Sequence, residues 1–93
     1  MQDKIKVSDD IVIKTQRANV EMEAKRGVLA FMISSGTPLE DENFKRYEES
    51  YMKAFEEFEN TKQDVERNIV KAKHPNAINW VLDYNNKEIT VTY

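Results

Sequence analysis

The sequence predicts an α+β fold, mostly helical, in which an antiparallel two-helix hairpin packs against a small antiparallel sheet. Three observations lead there. A stretch of more than thirty residues, from Pro38 to His74, contains neither glycine nor an internal proline; the last sixteen residues alternate apolar and polar about Asn85-Asn86; and only four residues, Ser34 to Thr37, separate the two helical stretches. At 93 residues the chain fits a single domain, 1–93, that buries roughly 60–65% of its unfolded surface.

From the N-terminus, Lys4-Ile5-Lys6-Val7 alternates as a short strand at about 4–7 would. Ser8-Asp9-Asp10 then supplies a helix cap and acidic first-turn residues, so a first helix is expected over about 9–35. The β-branched run Ile11-Val12-Ile13 leaves residues 4–14 open to either strand or helix. Gly36 stands where a C-terminal cap belongs.

The second helix is expected over 38–73, about 54 Å long. Thr37-Pro38-Leu39-Glu40 reads as an N-cap, a first-turn proline and a capping-box glutamate, while Lys71, Lys73 and His74 supply cations at the far end. Phe44, Tyr47, Tyr51, Phe55 and Phe58 fall on one arc and form an aromatic stripe, which at this spacing is core rather than a cofactor groove. The pattern lapses at Thr61-Lys62 and resumes with Val65, Ile69 and Ala72. Folding the chain at residue 36 puts Val28 beside Phe44, Val20 beside Met52 and Ile13 beside Glu59.

Residues 77–93 are expected to form a β-hairpin with a two-residue type I′ turn at Asn85-Asn86. That register pairs Leu82 with Ile89 and Trp80 with Val91, and gathers Ile78, Trp80, Leu82, Tyr84, Ile89, Val91 and Tyr93 on one face.

The chemistry-bearing residues are few. With no cysteine there is no disulfide, thiol nucleophile or zinc ribbon. The only histidine, His74, precedes a proline at a helix end, and no nucleophile accompanies it in sequence. Glu48-Glu49 and Glu56-Glu57 are adjacent pairs that point about 100° apart, and no Glu-x-x-His motif exists for a di-metal site. The two glycines, Gly27 and Gly36, make no phosphate loop. No catalytic residue, metal ligand or cofactor site is therefore expected, and the chain reads as a non-enzyme. No apolar run approaches the ~20 residues of a membrane span, and no hydrophobic leader follows Met1, so a soluble cytoplasmic protein is expected.

The net charge of −3 is concentrated between Thr37 and Arg67, a segment with ten acidic and five basic residues. That field disfavours a phosphate-backbone binder. The first helix carries two apolar faces. Ile13, Val20, Ala24, Val28 and Phe31 lie on one side; Ile11, Ala18, Met22, Leu29 and Ile33 lie roughly opposite. One should take the second helix and the other the C-terminal hairpin, a second subunit or a foreign protein. With Val28 assigned to the helical seam, Met22, Leu29 and Ile33, joined by Val65 and Ile69, become the candidate protein interface. The expected function is a protein-protein interaction module, a homodimeric adaptor or accessory protein, with a second copy and another protein as partners and neither nucleic acid nor membrane. The alternative is a small acidic inhibitor or nucleic-acid mimic that blocks a basic groove on a target.

Overall fold

A computed structural model describes residues 1–93 and contains, in order, β1 (Gln2–Lys6), α1 (Asp9–Ser34), α2 (Glu42–Val65), β2 (Asn79–Asp83) and β3 (Glu88–Thr92). Beyond Val65, α2 continues through a wide turn, Glu66–Val70, into a last turn, Lys71–Lys73. Two antiparallel helices pack against a three-stranded antiparallel sheet of order β1-β3-β2. The sheet covers only one end of the helices, and the molecule measures 47 × 24 × 19 Å.

β1 runs from residue 2 to 6, slightly earlier than expected, and pairs Ile5 with Ile89 on β3. Two residues later Ser8 caps α1, its Oγ accepting the Ile11 N–H at 3.4 Å, with Asp9 and Asp10 in the positive first turn. Ile11-Val12-Ile13 is therefore helical. A Schellman closure ends α1: Gly36 adopts φ 80°, its N–H reaches the Ile33 carbonyl at 3.1 Å, and the Thr37 N–H reaches Met32 at 3.0 Å.

That closure corrects the expected start of the second helix. Thr37 is used to end α1, and the helix begins four residues later, capped by Asp41, whose Oδ1 accepts from Asn43 N–H at 2.9 Å and Phe44 N–H at 3.2 Å. Residues 38–41 form a turn, with the Asp41 N–H on the Pro38 carbonyl. The longer connection slides the helices past one another. Thr15 and Thr61 now line the same cleft, instead of Ile13 facing Glu59.

The seam between the helices is built from Val12, Thr15 and Met22 of α1 and Phe44, Ala54, Thr61 and Val65 of α2. The aromatic stripe is only partly core: Phe44 is buried and Tyr51 and Phe58 half-buried, while Tyr47 and Phe55 are 46% and 40% exposed. Thr61 survives at a buried position because its hydroxyl donates to the Glu57 carbonyl one turn back, at 2.8 Å.

The wide turn is π-helical, the Lys71 N–H bonding to the Glu66 carbonyl five residues back. It rotates the end of the helix so that Val70 is fully buried, joining Val65, Ile5, Ile89 and Val91 in the core, with Ile69, Trp80 and Leu82 packed around them. Ala72, expected on this line, is exposed instead.

The hairpin has the expected register, Trp80↔Val91 and Leu82↔Ile89. Its turn differs. Tyr84–Lys87 form a four-residue loop in which the only residue of positive φ is Lys87, at 54°, and Asp83 Oδ1 accepts the N–H groups of Asn85 and Asn86 at 2.9 and 3.1 Å. A carboxylate-capped turn thus replaces the type I′ pair, and because both close on the pair Asp83–Glu88 the register is unchanged. Ile78 lies outside the paired strand and is 80% exposed, so it does not join the inner face.

Candidate interaction surfaces

Four of the five residues expected at a protein interface are used within the chain. Met22 is 3% exposed in the helical seam, Val65 lies in the core, Ile69 packs against that core, and Leu29 is half-buried; only Ile33, at the tip of α1, is largely free. The cause lies at the root of α1. β1 leads into the helix through two residues, Val7 is bonded to Lys87, and Val7 and Ile11 pack against the sheet core. That anchorage fixes the rotation of α1 and turns its Met22 side to α2.

The opposite strip is consequently bare. Ile13, Val20, Val28 and Phe31 are all exposed, Phe31 at 70%, with Ala24 and Gly27 between them. The eighteen helical rises from Ile13 to Phe31 make this strip about 27 Å long. Nothing lies within 4 Å of where a Gly27 Cβ would stand, so the packing of this chain does not call for glycine there. A mid-helix glycine is about 0.5–1 kcal/mol less favourable than alanine.

A second feature is an open groove of about 490 Å³ between α2 and β2, lined by Phe58, Lys62, Trp80, Leu82 and Tyr84 with Thr15 among them. The Lys62 ammonium sits 5.0 Å from the Phe58 ring centroid and 3.2 Å from Glu59. Burial raises the Tyr84 hydroxyl pKa above its usual value. Thr15 is 2% exposed and its Oγ1 has no hydrogen-bond partner.

The third feature joins the helix end to the sheet. His74 Nε2 lies 2.8 Å from Asp3 Oδ2, and the imidazole stacks on Tyr93 with centroids 4.3 Å apart. The hydrogen bond from His74 is the main reason the Asp3 carboxyl is held below the usual carboxylate pKa. This arrangement is a tether: the imidazole is engaged by a carboxylate on one side and a phenol ring on its face. Sequence reasoning placed His74 correctly at a helix terminus but had no signal for Asp3, 71 positions away.

On the remaining face, Asp10, Lys14, Arg17 and Glu21 of α1 oppose Glu57, Asn60 and Asp64 of α2 across a polar groove. No three histidine, aspartate or glutamate side chains converge on a common point, and no helix is long and apolar enough to cross a membrane. No known protein family matches the chain, and no curated protein or solved structure is significantly similar to it.

Proposed function

We propose that this chain is a non-enzymatic protein-interaction module, a homodimeric adaptor, whose binding face for another protein is the bare strip of α1. The observation that carries the reading is a row of large apolar side chains, Ile13, Val20, Val28 and Phe31, left in solvent on a helix whose other side is already packed. Their spacing suits an amphipathic helix of the partner, laid along the strip by ridges-into-grooves packing. Gly27, which the chain's own packing does not require, lets that helix approach closely. The flanking Arg17, Glu21 and Glu23 provide a mixed polar rim.

The test is co-purification with the full chain from its native cell, comparing wild type with the double variant Val20→Glu, Phe31→Glu. Both positions are exposed, so the variant should keep its helical circular dichroism and lose the bound protein. Retention of the same partner by a folded double variant, or capture of none by wild type, would overturn the reading.

The acidic-blocker alternative draws on Glu42, Glu49 and Glu56, exposed at seven-residue intervals along α2. Lys45, Arg46 and Lys53 are exposed among them and dilute the negative field. Binding to the target that collapses with added salt, and that is insensitive to Val20→Glu, would favour this alternative.

A further inference from the structure

The two edges of the sheet are not alike. β1 carries Lys4 and Lys6, exposed charges that discourage another strand from pairing there. β2, the other edge, reads Asn79-Trp80-Val81-Leu82-Asp83, with no lysine, arginine or proline. Val81, on the face of the sheet turned away from the helices, is 62% exposed, and the adjoining Ile78 is 80% exposed. An apolar, unprotected edge strand is a template for strand addition.

We propose that β2 pairs with β2 of a second copy of this chain, antiparallel and centred on Val81, to give a continuous six-stranded sheet. This deepens, and rests on, the homodimer of the preceding section by assigning it an interface. The occupant follows from the strand's complementarity to itself. With Val81 opposite Val81 of the second copy, Trp80 faces Leu82, Asn79 faces Asp83 and Ile78 faces Tyr84, each pair occurring twice by symmetry. Apolar residues meet apolar residues, an amide donor meets a carboxylate acceptor, and no like charges oppose. A slip by one residue would set inward-facing side chains opposite outward-facing ones. The groove lined by Phe58, Lys62, Trp80, Leu82 and Tyr84 runs beside this edge, where the inward side chains of the added strand would enter.

Because Val81 opposes itself, the register has a test that no other interface shares. Sedimentation of the wild-type chain should give twice 10.9 kDa. Val81→Lys alone and Val81→Glu alone should each give 10.9 kDa with unchanged circular dichroism, and mixing the two should restore the dimer. The chain has no thiol of its own, so Val81→Cys should form a disulfide-linked dimer under mild oxidation, whereas Lys4→Cys on the other edge should not. A wild-type monomer at all concentrations, a Val81→Lys variant that remains dimeric, or a mixture that stays monomeric would overturn the proposal. The variant Val20→Glu, Phe31→Glu should leave the dimer intact. If it dissolves the dimer while Val81→Lys does not, the interface is on α1 and strand pairing fails while the interaction-module reading stands.

Discussion

Two carboxylates far apart in sequence are held in the same chemical condition. Asp83 accepts from the backbone and side chain of Asn86 and from the Asn85 N–H, and Asp3 accepts from His74; both pKa values are lowered from 3.8. A carboxylate whose folded pKa is depressed binds fewer protons in the native state than in the unfolded one. Its contribution to stability is present above the unfolded value, about 4, and is lost as pH falls through the folded one. Urea unfolding followed across pH should therefore show a midpoint that is steady above about pH 5 and declines below about 4. Asp3→Asn and Asp83→Asn should each lower the midpoint at neutral pH and flatten the decline. Thr15 predicts the opposite sign. Its buried hydroxyl has no partner, so Thr15→Val should raise the unfolding free energy by about 1 kcal/mol, checked by the same titration. Of these residues only the turn was legible beforehand, from Asn85-Asn86, and even there the left-handed position fell on Lys87, a residue type that gives no warning of it.

Among the elements, the connection between the helices shows where sequence signals compete. Thr37-Pro38-x-Glu40 and Asp41 are both competent starts, and the choice between them is made by the end of α1, which claims the Thr37 N–H for its closing bond to Met32. Asp41→Ala should cost about 0.5–2 kcal/mol, while Thr37→Ala should change little, as thermal unfolding by circular dichroism would show. A larger effect at Thr37 than at Asp41 would contradict the assignment of the cap. The hairpin register and the Ser8 cap were legible because alternation and local hydrogen bonding decide them. The rotation of α1 was not. A helix apolar on both sides offers no preference of its own, and its orientation is imposed by β1 and Ile11 at its root. That is why Met22 went to the seam and the Val20–Phe31 strip to solvent.

Over the whole molecule the burial is uneven. Only 11 of 93 residues are buried, and five of them form one cluster between the sheet and the end of α2. A chain of this size has about 5–14 kcal/mol of stability in total. Ile89, which is fully buried, should therefore matter most: Ile89→Ala is expected to cost about 2–5 kcal/mol, a large share of that total, read as a lowered urea midpoint. The distal part of the pair of helices is held chiefly by Met22, Phe44 and Ala54, so its amides should exchange with solvent faster than those of β3 and the 61–70 segment. Equal protection at both ends would show a cooperativity that the packing does not account for.

The wide turn at Glu66–Val70 carries a consequence for the chain's length. Because its closing bond spans five residues where an α-helix spans four, this segment holds one residue more than a regular helix needs. Removing the exposed Asn68 would let the backbone anneal into unbroken α-helix with every hydrogen bond intact, which makes it a mild deletion in local terms. Because five residues here close the turn that four close in an α-helix, the same deletion would leave Val70 one turn beyond Val65 on the same face, and would keep His74 and the β-hairpin close to their present places. The extra residue is thus absorbed within a single turn, and a chain shortened there should keep both its helices and its sheet, as circular dichroism would show.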